Sequence, residues 1–189
     1  MSVLSENLLL GADATAGGYN IPRSLRFNSS DSAYLGRNFT STGSQTTWTY
    51  SAWVKLTAPT PSGQYRHLFG AGSTTGSYLY FDLNEQQKLN FGTWYTGYFT
   101  TNAVFRDYSA WMHIVLVVDT TNGTANDRIR LYVNGVRQTF SSYTDPGSGT
   151  SLQAINTNTA HYISSTGVGG SGNSALDAYL ADIYFIDGQ

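Results

Sequence analysis

Over residues 48–56 every second side chain is apolar: Trp48, Tyr50, Ala52, Val54 and Leu56 fall on one side, Thr49, Ser51, Trp53 and Lys55 on the other. A period of two is that of a β-strand with one buried face, because successive side chains point to opposite sides of a sheet. The same alternation sets Leu79, Phe81 and Leu83 against Tyr78, Tyr80 and Asp82, and Leu25 and Phe27 against Ser24, Arg26 and Asn28. Ile129, Leu131 and Val133 repeat it, and Asn134-Gly135 then leads into a run over residues 136–140. Asn-Gly between two alternating runs predicts a hairpin, since both residues tolerate the positive φ of a type I′ turn.

Residues 111–118 are apolar throughout except for His113, which predicts a mid-sheet strand covered on both faces. The last run places Tyr179, Ala181, Ile183 and Phe185 on one face and Leu180, Asp182, Tyr184 and Ile186 on the other. Shorter strands are expected over residues 66–70, 88–92, 103–105 and 161–164, for about eleven or twelve in all. After Gly11 no stretch sustains a 3.6-residue period, which excludes parallel βαβ units. The expected fold is all-β, an antiparallel two-sheet jelly-roll sandwich, with long polar loops over residues 41–47, 59–64, 119–127 and 144–159.

Composition narrows the function classes. At 189 residues the chain is long enough for one domain with a substantial core, expected over residues 21–189 behind an N-terminal arm or tether over residues 1–20. A charged fraction of 12% and a net charge of −2 leave no basic stripe to neutralise phosphates, so nucleic acid is not an expected partner. No window approaches the roughly 20 apolar residues of a membrane span, and the first residues do not form a secretory leader. With no cysteine there is neither a disulfide framework nor a thiolate metal site. A surface composition of extracellular type without disulfides or an export signal suits a virion component, made in a host cytoplasm and released by lysis.

Several segments form an ordered series: Ser24-Leu25-Arg26-Phe27-Asn28 with Ala33-Tyr34-Leu35, then Tyr50-Ser51-Ala52-Trp53-Val54-Lys55, then Trp111-Met112-His113-Ile114-Val115. It continues with Arg130-Leu131-Tyr132-Val133-Asn134-Gly135 and closes on Leu180-Ala181-Asp182-Ile183-Tyr184-Phe185. This series resembles the laminin G-like branch of the concanavalin A-like lectin and glucanase superfamily, in the version found in bacteriophage tail and appendage proteins. The resemblance spans residues 24–187. It implies a jelly roll that binds ligands on its loops or concave face, with host surface carbohydrate or a neighbouring virion protein as partner. A homo-oligomer and a purely structural assembly role are both consistent with it.

The superfamily includes glycanases, and glycoside hydrolysis ordinarily needs two carboxylates flanking the scissile bond. The glucanase motif Glu-x-Asp-x-x-Glu is missing: the only glutamates are Glu6 and Glu85, and neither is set in such a pattern. Asp177, Asp182 and Asp187 cannot converge from one unbroken strand, because the middle one faces the other way. There is no Gly-x-Ser-x-Gly elbow, and His67, His113 and His161 lack metal-site spacing. The expectation is a protein that is not an enzyme and needs no cofactor. Calcium stays open, since loop oxygens alone can hold it.

The candidate ligand platform is the aromatic cluster over residues 91–99, from which Trp94, Tyr95 and Tyr98 are singled out. Rigid amphipathic rings suit the apolar faces and polar edges of sugars, although the same residues would equally cap the core beneath a hairpin. Tyr143 and Asp145 are the second candidates, in a turn whose Asp-Pro-Gly is first of all turn chemistry.

Overall fold

The computed structural model describes residues 19–74, 76–167 and 175–188. The arm expected over residues 1–20 therefore lies outside the described residues, apart from Tyr19 and Asn20. Thirteen strands run in chain order among the described residues: β1 (Leu25–Phe27), β2 (Leu35–Asn38), β3 (Thr47–Leu56), β4 (Tyr65–Thr74), β5 (Ser77–Asn84), β6 (Leu89–Thr93) and β7 (Gly97–Thr101). They continue with β8 (Met112–Asp119), β9 (Ile129–Val133), β10 (Val136–Arg137), β11 (Phe140–Tyr143), β12 (Ala160–Ile163) and β13 (Ala178–Asp187). Six form one sheet in the order β1-β13-β3-β8-β9-β10, and seven form the other, β11-β7-β6-β5-β4-β12-β2. The chain is thus an all-β sandwich of two antiparallel sheets. No helix among the described residues is long and apolar enough to cross a membrane.

The two sheets bury their alternating faces against each other. Trp48, Tyr50, Ala52, Val54 and Leu56 of β3 are all at most 2% exposed. The ring of Tyr50 lies 5.2 Å from that of Phe69 and 5.9 Å from that of Phe81, and Trp48 meets Phe91 at 5.8 Å. Edge-to-face and offset contacts of this kind add to the burial of large aromatic area. The Asn134-Gly135 hairpin forms as the dipeptide predicts, with φ of 51° and 77°.

Four details depart from the alternation. β8 is mid-sheet, yet only Ile114, Leu116 and Val118 are buried, while Val115 and Val117 are half-buried because that face looks outward from the sandwich. Leu25 is 54% exposed although Phe27 is buried, since β1 is a sheet edge. The run over residues 136–140 is divided: β10 closes the hairpin with β9, then the chain crosses so that β11 pairs with β7 in the other sheet. Residues 103–105 form a connection, with the Phe105 N–H donating to the Gln87 carbonyl at 2.7 Å, and β7 forms instead just before them.

A fifth departure is in β13, which is bulged. Its register passes from Ala181 opposite Trp53 to Tyr184 opposite Ser51, so Asp182 and Ile183 face a single residue. Asp182 takes a left-handed φ of 46°. A bulge inverts the inside-outside parity beyond it. Ala178 and Leu180 point inward before it, Ile183 and Phe185 pack on the core after it, and Tyr184 stands 56% exposed. The single face expected for Tyr179, Ala181, Ile183 and Phe185 is therefore broken in the middle.

Tyr50 is completely buried, and its hydroxyl has no hydrogen-bond partner among the described residues. A buried polar group without a partner forfeits its hydration, so Tyr50→Phe should raise folding stability by about 1 kcal/mol. Urea unfolding of the two proteins measures this; a lower midpoint for the Phe variant would show that the hydroxyl is solvated or bonded.

Candidate functional site

With their inward residues committed to the core, β4, β5 and β6 present the opposite set outward, and antiparallel register aligns these in rows across the sheet. One row pairs Tyr65 with Asn84. The next runs His67, Asp82, Asn90, Thr100 and Ser142 across five strands, from β4 to β11. A third runs Gly70, Tyr80, Gly92 and Gly97, and a fourth sets Gly72 beside Tyr78. Trp94 extends the fourth row from the β6–β7 turn: its N–H donates to the Tyr78 carbonyl at 3.0 Å, and the two rings lie 5.4 Å apart.

These rows line one cavity of about 510 Å³, with Phe99 and Thr166 at its margin. Its size lies within the range usual for small-molecule sites. Tyr80 needs glycine beside it: a Cβ on Gly92 would lie 2.5 Å from the Tyr80 hydroxyl oxygen and 2.6 Å from the Thr96 carbonyl. Gly92 leaves the tyrosine room to lie against the sheet.

Three members of the polar row are nearly sealed, His67, Asp82 and Asn90 being exposed by 8%, 2% and 8%, while Ser142 at its end is exposed. Asn90 Nδ2 donates to Asp82 Oδ1 at 3.1 Å, and His67 Nδ1 lies 3.5 Å from Asp82 Oδ2. Burial penalises the charged forms, pushing Asp82 up to about 8 despite the Asn90 hydrogen bond. It pushes His67 down to about 4, aided by the charge of Arg66. Near neutral pH the pair holds one proton between two groups and has no net charge, whichever atom carries it. Chemically, the groove offers aromatic faces beside a row of uncharged donors and acceptors. Asp82 is the one carboxylate among the described residues that line it.

Of the residues singled out from sequence, Trp94 lines this groove and is 46% exposed. Tyr95 is beside it on the turn, 73% exposed and outside the lining. Tyr98 is core: the register slips between Phe91/Gly92 and their partners, and the tyrosine turns inward with its ring 5.6 Å from Phe91. Tyr143 packs parallel to Phe140, its hydroxyl donating to the Ala125 carbonyl at 2.6 Å. Asp145 is paired with Arg128, whose guanidinium holds the carboxyl below its usual range. Tyr143 and Asp145 tie together two loops and stand outside the groove lining.

Tyr65, His67, Tyr78, Tyr80, Asp82, Asn84 and Asn90 were not singled out. Their signal was the polar-aromatic side of the β5 alternation, which shows its meaning only once β4 and β6 flank it. The three C-terminal acids go separate ways. Asp177 accepts from the N–H and hydroxyl of Ser29, Asp182 from the Tyr19 hydroxyl, and Asp187 from the Ser44 N–H and Asn156 amide. Among the described residues no three His, Asp or Glu side chains gather as a metal site. His161 stacks on Phe39 at 4.1 Å and accepts from the Asn156 N–H, and His113 stacks on Trp53 at 4.9 Å.

A sandwich of two antiparallel sheets in this strand order is a lectin-like fold. The chain belongs to the family described as the concanavalin A-like lectin/glucanases superfamily, whose sequence profile matches residues 27–188. No curated protein matches the sequence. Among solved structures, the fold is similar to mouse laminin alpha1 domains LG4-5, with a TM-score of 0.57 and 11% identity over 89% of this chain and 44% of that one. It is also similar to the heptameric SAP-like pentraxin of Limulus polyphemus, with a TM-score of 0.54 and 14% identity over 80% of this chain and 68% of that one. A third is the Trypanosoma rangeli sialidase captured as a covalent intermediate with 2,3-difluorosialic acid, with a TM-score of 0.51 and 15% identity over 75% of this chain. This chain spans only 21% of the sialidase. Identities this low establish a common fold.

The polar row has a consequence for stability. Unfolded, Asp82 and His67 titrate near 3.8 and 6.5. Between about 4 and 6.5 their effects oppose: rising pH favours the folded state through His67 and disfavours it through Asp82. From 6.5 to about 8 only the Asp82 contribution is left, and the raised folded-state pKa means that stability falls as pH rises, by at most ~1.4 kcal/mol per unit. Asp82→Asn should remove this decline, as calorimetric melting temperatures at pH 6.5 and 8 will show.

Proposed function

We propose that this domain is a noncatalytic carbohydrate-binding module, with the groove on the seven-stranded sheet as its glycan site, serving a bacteriophage virion appendage that contacts host surface carbohydrate. The observation that carries the glycan reading is the ordering of the groove: Tyr78, Tyr80 and Trp94 on one side, the row from His67 to Ser142 beside them. Sugar rings need both an apolar face to stack on and a line of hydrogen-bonding groups for their hydroxyls. The single carboxylate supports the noncatalytic part, since hydrolysis of the usual kind requires two. The virion setting is supported by the order of the sequence motifs and by a sparsely charged chain without cysteine.

A second reading, assembly with a copy of itself or a neighbouring virion protein, is favoured by the outer face of the six-stranded sheet. There Tyr19 stacks on Trp53 at 5.4 Å, and Tyr184 is 56% exposed. Light scattering on the purified protein reports this directly, with a defined oligomer expected if that face is an interface.

A glycan array followed by titration calorimetry tests the site. Tyr80→Ala and Trp94→Ala should each weaken binding about tenfold, close to 1.4 kcal/mol. Tyr143→Phe, outside the groove, should leave affinity unchanged. Equal affinity for all variants with intact folding would remove the groove from consideration.

A further inference from the structure

The charge and direction of the groove say more than its ring content, and the inference that follows rests on the glycan reading above. None of the described residues that line the cavity is a lysine or arginine. Among the described residues, Asp82 has His67 Nδ1 at 3.5 Å and accepts from the Asn90 amide at 3.1 Å, both of them nearly sealed from solvent. A ligand carboxylate or sulfate laid on this floor would give up hydration without gaining a cation. A sugar hydroxyl both donates and accepts, which matches the hydroxyls of Thr100 and Ser142 and the second amide N–H of Asn84 and of Asn90, the first of each being given to Asn90 Oδ1 and Asp82 Oδ1.

The polar row also has a length and a direction. It crosses β4, β5, β6, β7 and β11 at right angles to the strands. At a strand spacing of ~4.8 Å, its ends lie about 19 Å apart. Tyr80 and Tyr78 follow two and four residues back along β5, so aromatic rings border the track along one flank. A track of this length crosses more than one sugar ring. We propose that the groove selects uncharged, linear oligosaccharide segments laid across the strands and rejects their acidic counterparts.

The experiment is a panel of neutral glycans and of uronic- or sialic-acid-containing glycans matched in length, with affinities measured by titration calorimetry on the full chain. Neutral chains are expected to bind with affinity rising from one sugar to at least three, and the acidic counterparts about tenfold more weakly or worse. Ser142→Arg, at the exposed end of the row, should narrow that gap by supplying the missing cation. Thr100→Lys does the same from the neighbouring strand and serves if the first variant folds poorly. Acidic glycans bound as tightly as neutral ones, a gap that neither cation narrows, or single sugars bound as tightly as chains would overturn the inference while leaving a glycan site in place. Binding of no glycan at all would overturn the glycan reading and this inference together.

Discussion

The packing of Trp48 and Tyr50 against Phe69, Phe81 and Phe91 decides which face of β4, β5 and β6 is available for anything else. In a strand the two faces are inseparable: committing Phe81 to the core commits Tyr80 and Asp82 to the outside. A slip of one residue would bury the tyrosine hydroxyl and the carboxyl and expose the phenylalanine ring. The groove is therefore a by-product of the core, held in register by the same aromatic contacts that join the two sheets.

Bulges modify that rule where it would otherwise mislead. In β13 the additional residue at Asp182 lets Phe185 turn inward, to within 5.5 Å of Phe69, after Leu180 has already done so on the opposite parity. At the β6–β7 turn a slip carries Tyr98 into the core and leaves Trp94 on the rim. Both are places where one residue out of step changes which side chains meet the solvent. Neither has a local marker such as Asn-Gly to announce it.

Electrostatics inside the groove follow from burial rather than from composition. Asp82 is an ordinary aspartate in the sequence, facing out from a half-buried strand. His67 and Asn90, from strands on either side, close around it and make its ionised form costly. The site accordingly presents hydrogen-bonding capacity without charge near neutral pH, and the fold bears the cost of keeping a carboxyl there.

Alternation alone located the buried faces of β3, β5 and β9 and the hairpin after β9, because a period of two and an Asn-Gly turn are local properties of the chain. It also carried the ordered motifs that mark the family. Tertiary structure decided the rest. Tyr65, Tyr80, Asp82 and Asn90 line one groove only when the register of three strands brings residues many positions apart onto adjacent rows. Tyr98, Tyr143 and Asp145 have the composition of a binding surface, yet the register slip at Gly92 and the pairing of β11 with β7 assign them to the core and the loop ties. Periodicity says which side of a strand a residue occupies, and only the neighbouring strands determine what it faces there.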